Sequence, residues 1–165
     1  MGDVTIRKAI EADTAAILSI YRSAKQFMRR MGNMTQWAGS YPGEKEIAAD
    51  IENGNLHVGV DDDGEIVVAF AFIIGRDPTY DVIDGAWLND EPYGTIHRIA
   101  SSGKVAGMVA GCVEYCFSKV DNIRVDTHSD NRPMLAALER ARFTRCGTII
   151  CADGTPRVAF HRSGH

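Results

Sequence analysis

The stretch 94–109, GTIHRIASSGKVAGMV, constrains this chain more than any other. Its first half alternates apolar and polar residues, the period of a half-buried strand. A turn of Ser and Gly follows, and from Val105 onward the pattern is helical. A strand that ends in such a turn and opens a helix presents free backbone N–H groups and the positive end of the helix dipole. That is an anion site, and phosphate is its usual biological occupant. Two common phosphate loops are excluded. A Walker A loop places a Gly five residues before Gly-Lys-Ser/Thr, but Gly103-Lys104 is followed by Val105 and position 98 is Arg. A dinucleotide fingerprint reads G-x-G-x-x-G, whereas Gly103, Gly107 and Gly111 recur every fourth residue. What remains is a basic residue, two residues and a glycine: Lys104-Val105-Ala106-Gly107.

The rest of the chain falls into short periodic segments. Residues 4–9 alternate as a strand. From Asp13-Thr14, the residues Ala16, Ile17, Ile20, Tyr21, Ala24, Phe27, Met28 and Met31 recur at helical spacing until Gly32-Asn33. A loop with Trp37, Tyr41 and Pro42 leads to a second helix over 44–53, stopped by Gly54. Strands over 56–60 and 66–74 flank Asp62-Asp63-Gly64, a hairpin signal. Residues 76–92 have no clear period and read as an irregular excursion. Then come a strand over 95–101, a helix over 105–118, a strand over 122–127 and a helix from Asp130-Asn131 to Arg142. Strands over 144–151 and 157–162 meet across Asp153-Gly154. The order β-α-α-β-β-β-α-β-α-β-β predicts one α/β (α+β) domain with a mixed central sheet spanning residues 1–165.

This order resembles that of the GNAT acetyltransferase superfamily, and so do the motifs. The acetyl-CoA pyrophosphate loop of that family reads Gln/Arg-x-x-Gly-x-Gly/Ala. Lys104 and Gly107 match it, with Lys in place of Gln or Arg, and Val109 stands where Gly or Ala is usual. The strand 123–127, the run His128-Ser129-Asp130-Asn131 and the helix ending Leu138-Glu139-Arg140-Ala141-Arg142-Phe143 resemble the family's fifth strand, Asn-led helix and Glu-Lys-Leu-Gly-Phe signature. Residues 145–149 resemble its sixth strand. His97-Arg98-Ile99-Ala100-Ser101 and Thr127-His128-Ser129-Asp130-Asn131 further resemble a bacterial subgroup.

The resemblance implies an N-acetyltransferase that uses acetyl-CoA as cosubstrate and a primary amine of a small molecule, amino acid or peptide as acceptor. The amine attacks the thioester directly, its ammonium proton is removed, and a backbone N–H stabilises the oxyanion. On this reading Ile99, Ala100 and Ser101 pair with the pantetheine arm. The N–H groups of Lys104, Val105, Ala106, Gly107 and Met108 hold the pyrophosphate, and Asn131 reaches the pantetheine or thiol. A Cβ at Gly107 would crowd the phosphate oxygens. His97 and His128 are the candidate acid–base groups, and Trp37 and Tyr41 the candidate acceptor pocket. Two positions depart from the family pattern: Leu138 replaces the usual Tyr acid, and Arg142 replaces the Gly that normally caps the helix. A catalytically silent CoA-binding regulatory module is the rival reading.

Structural roles compete for several of these residues. An Arg98–Asp126 pair would account for charges in two central strands. Gly111 is expected to let its helix pack closely on the sheet, and Trp37 and Tyr41 could equally cap the core. Asp61-Asp62-Asp63 reads as a solvated turn, because the spaced oxygen ligands and distal Glu of a calcium loop are missing. The net charge of -4 argues against a general nucleic-acid binder. The apolar run 66–74 is too short to span a bilayer as a helix, so no membrane association is expected. Cys112, Cys116, Cys146 and Cys151 form no Cys-x-x-Cys, and no His pair has metal-ligand spacing, so a reducing cytoplasm and no metal are expected. The start Met1-Gly2-Asp3-Val4 lacks a signal sequence, and Ile6 argues against myristoylation. A homodimer is compatible with all of this. Ser163-Gly164-His165 is given no function.

Overall fold

The computed structural model describes residues 3–164. The myristoylation reading at Met1-Gly2 and the terminal His165 lie outside the described residues. Among them, eight strands and four α-helices occur in the order β1 (Thr5–Lys8), α1 (Thr14–Arg30), α2 (Glu44–Glu52), β2 (Leu56–Val60), β3 (Ile66–Ile74), β4 (Asp84–Gly85), β5 (Gly94–Ser101), α3 (Met108–Phe117), β6 (Asn122–Thr127), α4 (Arg132–Arg140), β7 (Thr144–Ile150) and β8 (Pro156–Ser163). The mixed, mostly antiparallel α/β class is the one the sequence predicts, with β4 added. No helix among the described residues is long and apolar enough to cross a membrane. Contacts divide the chain into two units, Met1–Phe72 with Arg98–Met108 and Ile73–His97 with Val109–His165.

In the first unit, β1, β2 and β3 form an antiparallel meander, paired from Thr5↔Val60 to Lys8↔His57 and from Leu56↔Ala71 to Val60↔Ile66. The turn between β2 and β3 is fixed locally. Asp61 Oδ1 accepts from the N–H groups of Asp63 (3.0 Å) and Glu65 (2.9 Å). α1 turns Ile17, Ile20, Tyr21 and Met28 inward, while Phe27 and Met31, which share its predicted apolar stripe, remain exposed. These side chains close a core with Ile47, Leu56, Val58 and Ala69. Each such burial contributes about 1.5–3 kcal/mol. The exit from β5 is tied down where Ser102 N–H donates to Val67 O (2.9 Å).

In the second unit the strand order is β5-β6-β8-β7-β4. β5 runs parallel to β6 through Gly94↔Ile123 and Thr95↔Arg124, which requires a crossover, and α3 lies in it. The remaining pairs are antiparallel. The inward face of α3 carries Cys112, Val113 and Cys116.

Several sequence expectations need correction here. α3 starts at Met108, not at Val105, so residues 102–107 are an open loop. Gly111 is exposed, and a Cβ built there meets no atom within 4 Å, so it does not mediate close packing. The excursion over 76–92 is irregular as expected, with one short 3-10 turn at Pro78–Tyr80; the departure is the two-residue strand β4, too short to leave a period in the sequence. The cap of α4 is made by Arg142 itself, which adopts φ 68°. Its N–H donates to Glu139 O and the Phe143 N–H to Leu138 O, both at 3.0 Å, the pair of bonds a glycine normally makes at this position.

Candidate active site

The loop after β5 is built by the first unit. Gly103 and Gly107 have φ of 81° and 75°, a left-handed conformation that L side chains rarely adopt. A Cβ built on either meets nothing within 4 Å. Gly107 is therefore required by the backbone it forms, whatever ligand the loop holds, and the space above both glycines is open. Residues 103, 104, 106 and 107 are exposed, and the loop runs into the N-terminus of the ten-residue helix α3. Exposed N–H groups at a helix start are what an anion needs. The Lys104 side chain is not free for that anion: its Nζ donates to Glu65 Oε1 at 2.7 Å, and this bond raises its pKa. Upstream, Ala100 is buried in the core, Ile99 is half-buried and Ser101 is exposed.

Arg98 lies within the same unit and does not pair with Asp126. Its φ is 50°, a left-handed residue inside a strand. The parallel register, Thr95↔Arg124, sets His97 and not Arg98 on the face that carries Asp126, where Tyr80 lies against the His97 ring and bonds Asp126. The guanidinium grips Asp50 of α2 with two bonds, of 3.0 Å from Nε and 2.8 Å from Nη2, and donates to Tyr41 Oη at 3.0 Å. Burial pulls its pKa down, but Tyr41 and Asp50 more than offset this. Asp50 was missed in the sequence, although its place beside Ile47 and Ile51 on the inward side of α2 was a usable signal. Of the two predicted acceptor-pocket residues, Tyr41 is exposed, while Trp37 is buried and meets the Tyr21 ring edge-on at 5.5 Å. A cleft of about 510 Å³ lies beside them, lined by Tyr21, Lys25, Pro42 and Gly43 among others.

His97 and His128, the two histidines the sequence offers as acid–base candidates, lie in the second unit. His97 Nε2 lies 3.2 Å from Asp77 Oδ2, and both side chains are 25% exposed. Asp77 belongs to the aperiodic excursion, and no signal in the sequence marked it. Its pKa is lowered, first by the His97 hydrogen bond and then by the Thr79 N–H, against the opposing effect of burial. An ionised carboxylate only accepts, so Nε2 of His97 carries the hydrogen and Nδ1 is left as the basic nitrogen. Nearby, the Tyr80 hydroxyl donates to Asp126 Oδ2 at 2.6 Å, and burial, then the Asp126 charge, holds its proton on well above the ordinary pH range.

His128 is engaged differently. Its Nδ1 accepts from the Asp130 N–H at 3.1 Å, closing the turn before α4. Asn131 is the N-cap of α4, its Oδ1 accepting from the Met134 N–H at 3.3 Å. Leu138, where the family carries an acidic Tyr, is buried to 1% exposure and serves the core.

No family model matches the chain, and no curated protein sequence does. Solved structures do. An acetyltransferase of the GNAT family from Streptococcus agalactiae is 30% identical, is matched over 98% of this chain and 96% of its own, and has a TM-score of 0.90. A GNAT-family acetyltransferase from Listeria monocytogenes is 17% identical over 97% and 94%, with a TM-score of 0.70. A GNAT-superfamily phosphinothricin acetyltransferase from Sinorhizobium meliloti, in complex with AcCoA, is 16% identical over 97% and 88%, with a TM-score of 0.64.

Proposed function

The chain belongs to the GNAT acetyltransferase family, and from that premise we propose that residues 1–165 act as one domain that moves an acetyl group from acetyl-CoA to a primary amine. The observation that carries the reading is the loop over 102–107. It is open, exposed, bent by two left-handed glycines and placed at a helix N-terminus. Acetyl-CoA would supply the acetyl group as a thioester that an amine can attack. The phosphinothricin acetyltransferase among the structural neighbours is in complex with AcCoA, which supports that choice of donor.

The residues present fit the pyrophosphate. The N–H groups of Lys104, Val105, Ala106, Gly107 and Met108 would bind it, with no side chain above Gly103 or Gly107 to fill the space. Ile99, Ala100 and Ser101 would align the pantetheine arm through their backbone, and Asn131 would orient its thiol end. His97 takes the proton of the acceptor ammonium on Nδ1, since Nε2–H is committed to Asp77. His128 ranks second as base because its Nδ1 already accepts a backbone N–H. Trp37 and Tyr41 would shape the amine side, Tyr41 through its exposed ring. Four free cysteines support a cytoplasmic location: Cys112 and Cys116 are buried, and burial pushes the Cys112 thiol up to about 12.

Thermal unfolding with acetyl-CoA, NAD and ATP–Mg²⁺ in parallel tests this. At one hundred times its Kd, acetyl-CoA stabilises by about 2.7 kcal/mol, which is roughly 5–10 °C in Tm for a chain of this size. A larger shift with ATP–Mg²⁺ overturns the reading. An amine panel with thiol detection then separates the enzyme, which releases CoA, from a silent CoA-binding module, which does not.

A further inference from the structure

We propose that Asp77 is a positioning residue for the transfer: its carboxylate fixes His97 in the Nε2–H tautomer, so that Nδ1 is the nitrogen that takes the proton of the amine. The proposal rests on the acetyltransferase reading and adds to it a residue from the aperiodic segment 76–92.

The geometry leaves Asp77 little freedom. Its N–H donates to Tyr93 Oη at 2.7 Å, and the Tyr93 hydroxyl points back to Asp77 O at 3.4 Å. The Tyr93 ring is itself clamped, because the Arg124 guanidinium stacks 4.1 Å from its centroid and 4.3 Å from that of Trp87. Arg124 is buried and donates to Asn89 O at 2.9 Å, so the excursion is pinned to β6 through Trp87, Asn89 and Tyr93, the last being Asp77's anchor. The side chain is fixed as well. Thr79 N–H occupies Oδ1 at 2.9 Å, which leaves Oδ2 for His97. A carboxylate whose two oxygens have separate, assigned donors holds an imidazole in one orientation and one tautomer.

That division of labour makes Asp77→Asn a specific probe. The Thr79 N–H requires an acceptor, so the amide oxygen must take the Oδ1 position. The NH₂ group then stands where Oδ2 was and presents a donor to His97 Nε2. Nε2 must accept, and the imidazole proton moves to Nδ1, which removes the base from the nitrogen that needs it. The effect is large because a wrong tautomer abolishes general base catalysis, usually 10²–10⁴-fold.

The test combines ¹⁵N NMR of the His97 ring with steady-state kinetics on an amine that the parent acetylates. The parent should show Nε2–H and Asp77→Asn should show Nδ1–H. kcat should fall at least about 100-fold, while KM for acetyl-CoA stays within about threefold. Asp77→Glu, which keeps a carboxylate, should retain Nε2–H and lose less activity than Asp77→Asn. Retention of Nε2–H in Asp77→Asn, or a shifted tautomer with kcat unchanged, overturns the role of Asp77 and leaves the acetyltransferase reading standing. A parent that acetylates no amine overturns both.

Discussion

Arg142 holds a backbone conformation that costs an L residue about 1–2 kcal/mol, and its side chain is exposed. Its φ of 68° exists only to complete the two carbonyl bonds that end α4. Arg142→Gly removes that cost and gives back part of it as freedom of the unfolded chain, about 0.4–1 kcal/mol. The expected net gain is roughly 0.5–1 kcal/mol, or about 1–4 °C in Tm by calorimetry. An unchanged or lower Tm would mean that the guanidinium makes a compensating contact. Arg98 shares the conformation without sharing the prediction. Its two bonds to Asp50 and its bond to Tyr41 depend on the arginine side chain itself. The sequence marked Arg142 as an oddity because glycine is usual there. It gave no such mark at Arg98, because the register of β5 against β6, which decides that His97 and not Arg98 shares a face with Asp126, is not written in either strand alone.

On the proposed reading the loop between β5 and α3 binds through its backbone rather than its side chains, and that sets the order of effects among its variants. Gly107→Ala adds one methyl group into open space, so there is no clash to relieve. The damage comes from φ 75°, which alanine leaves, turning the neighbouring N–H groups away from an anion. Hydrogen bonds to charged groups contribute about 1.5–3 kcal/mol each, so losing one weakens acetyl-CoA roughly 10- to 100-fold. Lys104→Ala should cost less than about fivefold, because its ammonium already pairs with Glu65 on an exposed surface, where such charges contribute little. Isothermal titration of the two variants measures the order directly. Equal losses, or a larger loss for Lys104→Ala, would mean that the anion is held by the side chain and not by the loop.

At the scale of the whole chain, the elements legible in advance were those whose periodicity is local. β3 read correctly because it is one continuous apolar run, buried from Val67 to Phe72, and α1, α2 and α4 because apolar residues recur along them every three to four residues. Residues 76–92 did not, since long-range partners place them: the Tyr80 hydroxyl donates to Asp126, the Leu88 N–H donates to His161, and Trp87 lies against Arg124. The glycines of the loop after β5 were thus legible, and the carboxylate beside His97 was not. His161 was hidden for the same reason, and it governs how global stability responds to acid. It is fully buried on β8, its Nε2 2.9 Å from Asn122 Oδ1 and its Nδ1 accepting from the Leu88 N–H at 3.2 Å. Burial, then the nearby Arg124 charge, lowers its pKa to about 4 from an unfolded value of 6.5. The folded state therefore refuses a proton that the unfolded state accepts. The stability is fully present above pH 6.5 and is lost as pH falls from 6.5 towards 4, by up to about 3 kcal/mol. Asp13 and Asp77, whose pKa values lie below the ordinary 3.8, act only at more acid pH, so the two windows separate. Calorimetry from pH 7 to pH 4 should show Tm falling by roughly 6–12 °C. His161→Phe, although less stable throughout because Asn122 and the Leu88 N–H lose a partner, should show a nearly flat Tm over the same range. If its slope equals that of the parent, another group takes up the proton and His161 is not what limits stability in mild acid.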